Sequence, residues 1–134
     1  MSTTSNRVYQ RIRAAVWDVD EGDAVDEAIA RLSADERAVY ATHALEDELA
    51  EGGWSLIFGN DRDNLLEPAI EGYERMGLRR HATLVRAVLA AGHDGIPEED
   101  METLDERFAR LPGAEAARAR FIKAHGLDRT DGPR

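Results

Sequence analysis

A chain of 134 residues with 27 Asp and Glu against 17 Lys and Arg, net −10, is long enough for one hydrophobic core and too short for two. Its negative charge disfavours direct binding to nucleic acid or to an anionic membrane, both of which repel a surface of their own sign. The absence of cysteine excludes disulfides, thiolate metal sites, iron–sulfur clusters and a cysteine nucleophile, and no apolar run approaches the ~20 residues that span a bilayer.

Residues 1–6 hold no apolar stretch of the kind a secretory signal needs, so a disordered N-terminus and a cytoplasmic location are expected. The pattern thereafter is helical. Val8, Ile12, Ala15 and Val16 keep helical spacing beside Tyr9 and Trp17. Asp23 can cap a short helix over Ala24–Leu32, and Ser33-Ala-Asp-Glu36 is a capping box that opens a helix running to about Glu51. That helix is expected to turn Ala38, Ala41, Thr42, Leu45 and Leu49 inward and Glu36, His43, Asp47 and Glu51 outward. Gly52-Gly53 should stop it, because glycine accepts the left-handed conformation a helix end requires.

Trp54–Phe58 reads as a helical turn or a buried connector, and Asn60–Asp63 as a loop before a helix over Asn64–Met76. A helix over Leu78–Ala91 follows, with Ala82, Val85 and Leu89 inward. Pro97 suits the first turn of the next, where Met101, Leu104, Phe108 and Leu111 face the core and Glu98, Glu102, Asp105 and Glu106 face water. Ala114–His125 is the last helix, and residues 128–134 form a loose tail. The expected fold is all-α: a single domain over residues 7–127 with about seven helices, some short, and no internal repeat.

Motifs for chemistry are sparse. His43, Glu46 and Asp47 place three potential metal ligands on adjacent turns, but a di-iron bundle needs paired Glu-x-x-His motifs, and here the spacing is His-x-x-Glu, once. His43 is therefore expected to be a surface histidine beside helix acids. Asp18-Val-Asp20-Glu21-Gly22-Asp23 begins like a calcium loop, then fails at the sixth position, Asp23, and at the twelfth, Ile29. No phosphate loop and no serine-nucleophile elbow is present. No enzyme activity, cofactor or metal is expected.

Leu45-Glu-Asp-Glu48-Leu49-Ala-Glu51-Gly52-Gly53-Trp54-Ser-Leu56-Ile57-Phe58-Gly59-Asn60 resembles the small bacterial DMP-type (DUF4375-like) family, which includes a DNA mimic protein. Leu32-Ser33-x-x-Glu36-Arg37-Ala38-Val39-Tyr40 upstream, and Ala69–Gly77 and His81–Ala87 downstream, extend the likeness from about Leu32 to Ala90. It implies an all-α fold in which Gly52, Gly53, Trp54 and Phe58 are scaffold. It also implies a mechanism: surface carboxylates imitate duplex phosphates and occupy the DNA-binding face of a transcription regulator.

The charge is distributed in keeping with this. Residues 1–106 hold 24 acids and 10 bases, hence −14; residues 107–134 hold 3 acids and 7 bases, hence +4. Duplex DNA carries one charge per ~1.7 Å, so about 20 over the ~36 Å that such a domain spans. A mimic of this net charge must gather its acids on one face. Asp18, Asp20, Glu21, Asp23, Asp26 and Glu27, the neighbours Asp61 and Asp63, and the i, i+4 pairs Asp47/Glu51, Glu67/Glu71, Glu98/Glu102 and Glu102/Glu106 are the expected contributors.

The expected partner is thus a basic protein, most specifically a DNA-binding protein, with neither nucleic acid nor membrane bound directly. A module of the immunity or antitoxin kind, neutralising a basic toxin, is the alternative, and a metal-dependent enzyme built on His43, Glu46 and Asp47 is a third. The spacing does not fix an oligomeric state.

Overall fold

The apolar stripes and glycine stops divide the chain into helices very nearly as the spacing requires. The structure, a computed structural model, describes residues 3–17, 22–59 and 63–128. Its α-helices are α1 (Thr3–Trp17), α2 (Gly22–Arg31), α3 (Ala34–Gly59), α4 (Leu66–Arg75), α5 (Arg79–Ala91), α6 (Glu98–Ala109) and α7 (Ala114–Ala124). Single 3₁₀ turns at Asp63–Leu65 and His93–Gly95 precede α4 and α6, and no strand occurs among the described residues. The fold is all-α.

The capping box forms at the start of α3: Ser33 Oγ accepts the Glu36 N–H at 3.1 Å, and the Ser33 N–H donates back to Glu36 Oε1 at 3.4 Å. Just upstream, the Arg37 guanidinium donates to the carbonyls of Ile29, Ala30 and Leu32 at 2.8–3.1 Å. It thereby satisfies carbonyls at the end of α2, where the Ile29 carbonyl also accepts the Leu32 N–H at 3.2 Å.

At Gly52-Gly53 the chain bends rather than stops. Gly53 alone leaves helical geometry (φ 71°, ψ −167°), and α3 resumes from Trp54 to Gly59 as a short second limb. Trp54–Phe58 is thus a helical turn, with Trp54 and Ile57 fully buried and Phe58 half-buried. The new limb needs a cap, and α6 supplies it: Asp105 Oδ1 accepts the Trp54 N–H at 2.8 Å. Asp105, expected to face water, turns inward because this N–H has no partner within its own helix.

Two apolar clusters share α3. One gathers Val8, Tyr9, Ile12 and Val16 of α1, Ile29 of α2, Val39 and Tyr40 of α3, and Phe121 and Ile122 of α7. The other gathers Leu45, Trp54 and Ile57 of α3 with Leu66, Ala69 and Tyr73 of α4, Val85 and Val88 of α5, and Met101 and Phe108 of α6. Helix α4 lies against α3 so closely that a Cβ on Gly72 would sit 2.9 Å from Ala38 Cα. Glycine there lets the two backbones meet.

Some details differ from what the spacing predicts. Helix α1 begins at Thr3, so residues 3–6 are helical and Ser5 is buried. Pro97 is the residue before α6 rather than inside its first turn. Ala15 is exposed.

Candidate partner-binding surface

Helices α2 and α4 enclose a groove of about 470 Å³ whose rim carries Asp26, Glu67 and Glu71. Glu67 and Glu71 lie one turn apart on α4, and Asp26 reaches in from α2, where Asn64 Nδ2 donates to its carboxylate. Two of the three carboxylates, those of Asp26 and Glu67, have no cation within 4.0 Å among the described residues. Glu71 is paired with Arg75 at 3.3 Å. Arg37 also lines the groove, with three of its five N–H donors going to the carbonyls of Ile29, Ala30 and Leu32.

The other expected acids lie in several places. Asp18, Asp20, Glu21 and Asp61 are outside the described residues; Asp23 falls in α2 and Asp63 in the first 3₁₀ turn. Glu27 is exposed and pairs with Arg31 at 3.3 Å. Glu51 is exposed near the bend in α3. Glu98, Glu102 and Glu106 stand exposed along α6, where the first turn adds Glu99 and Asp100 and Glu106 pairs with Arg110 at 3.9 Å. Asp47 lines a separate small cavity of about 90 Å³ with Glu46, Glu115 and Arg118. The structure thus brings Asp26, Glu67 and Glu71 together and puts Asp47 elsewhere.

Spacing did not reveal the polar cluster behind that small cavity. Arg118 of α7, with 3% of its side chain exposed, donates through Nη2 to Glu46 Oε2 and through Nε to Thr42 Oγ1 at 3.2 Å. The Tyr73 hydroxyl donates to the same Glu46 oxygen at 2.7 Å, and burial together with the Glu46 charge holds its pKa well above the usual phenol value. A legible signal existed: Ala117, Arg118, Phe121 and Ile122 fall on one face of α7, so Arg118 lies in an apolar stripe.

His43 is not a surface histidine. Its side chain is 16% exposed and its ring stacks on Tyr9, centroids 3.8 Å apart, because α1 covers this side of α3. Its Nε2 lies 3.6 Å from Asp47 Oδ2, and its Nδ1 is buried without a hydrogen-bond partner among the described residues. With Glu46 committed to Arg118 and Tyr73, the three residues do not converge as ligands, and no group able to hold a metal occurs among the described residues.

Burial, reinforced by the nearby Arg118 charge, lowers the His43 pKa from 6.5 to about 4, and burial also lowers that of His81. His43 is therefore held neutral in the fold down to about pH 4, and His81 resists protonation more than a free histidine, while the unfolded chain takes up protons as pH drops below 6.5. Stability must fall on acidification across that window. Asp47 opposes this in part, since burial raises its pKa and the folded state gains protons there. In urea unfolding at pH 7 and pH 5, His43 should contribute a loss of up to about 2 kcal/mol. His43→Phe, which keeps a ring on Tyr9, should shrink the drop; an unchanged drop would remove His43 as its source.

A model of the DMP19-like protein family matches residues 30–125, from the end of α2 through α7. Neither the curated proteins nor the solved structures searched contain a match. Among the described residues, no helix is long and apolar enough to cross a membrane. The matched span takes in the capping box, the glycine bend with its Trp54 limb and the Gly72 contact, which together build α3 and what packs on it. The chain belongs to the DMP19-like protein family.

Proposed function

We propose that this protein is a non-enzymatic binding module that presents an acidic surface to a basic DNA-binding protein, as a DNA mimic does. The observation that carries the reading is the groove between α2 and α4, where three carboxylates from two helices share one rim and outnumber the one arginine, Arg37, that lines it. Glu67 and Glu71, one turn apart, hold their Cβ atoms ~6 Å from each other, close to the spacing of successive phosphates along a strand. Asp18, Asp20, Glu21, Asp23, Asp61 and Asp63, near these segments in sequence, belong to the proposed acidic set, as do Asp47, Glu51, Glu98, Glu102 and Glu106. The reading is consistent with family membership.

An electrostatic interface is screened over ~10 Å at 0.1 M salt, so partner capture should weaken steeply as salt rises. The test is a pull-down with the purified chain at 50 and 300 mM NaCl, with and without duplex DNA as competitor. A DNA-binding partner held through its DNA face should be released by both salt and duplex. The variant Asp26→Lys/Glu67→Lys should lose at least tenfold in capture with its urea midpoint kept. Capture indifferent to duplex and to this variant would overturn the reading.

A further inference from the structure

On another helix pair the protein carries a basic groove that DNA mimicry does not need. Between the start of α5 and the end of α6 lies a cavity of about 400 Å³ lined by Arg79, Arg80 and Arg107, with Leu84, Ala87 and Leu104 among its apolar residues. That volume is of the size that takes small ligands. We propose that this groove binds a small amphiphilic anion, with a carboxylate or phosphate head on the three guanidinium groups and an apolar body along Leu84, Ala87 and Leu104.

Two observations carry this beyond an incidental cluster of arginines. The first is pairing. Among the described residues no carboxylate lies within 4.0 Å of Arg79, Arg80 or Arg107, although acids outnumber bases 27 to 17. Arg11, Arg31, Arg75, Arg86, Arg110 and Arg118 each have a carboxylate partner, and although Arg7, Arg13, Arg37 and Arg120 also have none among the described residues, Arg79, Arg80 and Arg107 are the three that line one cavity together. Three charges left without partners beside one cavity are cations available to a bound anion.

The second is placement. Arg79 and Arg80 open α5, whose first turn holds no acid and whose N-cap, Leu78, makes no side-chain cap. The N-terminus of a helix is its positive end, where cations are unfavourable and anions favourable. Helix α6 follows the usual rule, with Glu98, Glu99 and Asp100 in its first turn. Helix α5 inverts it, and a bound anion relieves both the inverted charge and the repulsion among the arginines. The apolar residues alongside offer surface that an apolar ligand body would cover and a small hydrophilic anion would not.

The probe is decanoate, compared with decanol, which has the same chain and no charge, and followed by backbone amide shifts in two-dimensional NMR. Decanoate should shift amides of the first half of α5 and the last half of α6, at least tenfold more tightly than decanol. The variant Arg79→Gln/Arg80→Gln/Arg107→Gln should lose at least tenfold in decanoate affinity; should it fail to fold, Arg107→Gln alone should lose at least threefold. Equal binding of decanoate and decanol would overturn the proposal, as would shifts centred on other helices or undiminished binding by the variants. Decyl phosphate binding as tightly as decanoate supports a general anion site. Binding seen only on vesicles of anionic lipid, and not with either soluble probe, would overturn it in favour of a bilayer.

Discussion

Gly53→Ala should cost about 2–4 kcal/mol of stability, the sum of backbone strain and a displaced cap. The position has φ 71° and ψ −167°, a region essentially reserved for glycine. The added methyl would also lie 2.3 Å from Asp105 Oδ2, on the carboxylate that receives the Trp54 N–H. The side chain must move, and the second limb of α3 loses its cap as it does. Urea unfolding checks the size, and a double-mutant cycle checks the cause. Asp105→Ala alone should cost about 1 kcal/mol, the usual value of a cap. In the Gly53→Ala background it should cost much less, because the clash and the cap are then already gone. A loss below about 1 kcal/mol for Gly53→Ala would mean that the bend is not held by these two contacts.

Arg118→Met should be of similar size, about 3 kcal/mol or more, because a half-buried Glu46 would keep its charge with only the Tyr73 hydroxyl beside it. The informative comparison is with the joint replacement. Arg118→Met with Glu46→Leu and Tyr73→Phe removes both charges and the hydroxyl that would otherwise lose its acceptor. Most of the lost stability should then return, since apolar groups of similar volume replace buried ion pairs at little net cost. Additive losses across the three sites would show that the cluster acts as separate contacts and not as one network.

These two clusters also mark where sequence reasoning succeeded and where it had to fail. Local chemistry was legible: Ser33 and Glu36 cap a helix through atoms three residues apart, and apolar spacing placed Val8, Ile12, Val85 and Phe108 inside. The glycine pair reads as a stop, with a helical turn beyond it as one of two alternatives, and not as a bend within one helix. What remained hidden joins residues far apart in the chain. Asp105 faces inward to serve an N–H 51 residues away, and Arg118 meets Glu46 across 72. His43 lies on the polar side of α3 by periodicity alone, and only the docking of α1 makes that side partly buried. At the acidic surface, the spacing identified Glu67 and Glu71 as a pair; that Asp26 joins them follows from how α2 and α4 flank one groove.

Helix α3 contributes Val39 and Tyr40 to one apolar cluster and Leu45, Trp54 and Ile57 to the other. Neither half of the molecule can therefore melt without stripping the shared helix from its neighbour. A protein built this way should lose its order in a single all-or-none step, with no stable half-molecule for a protease to find.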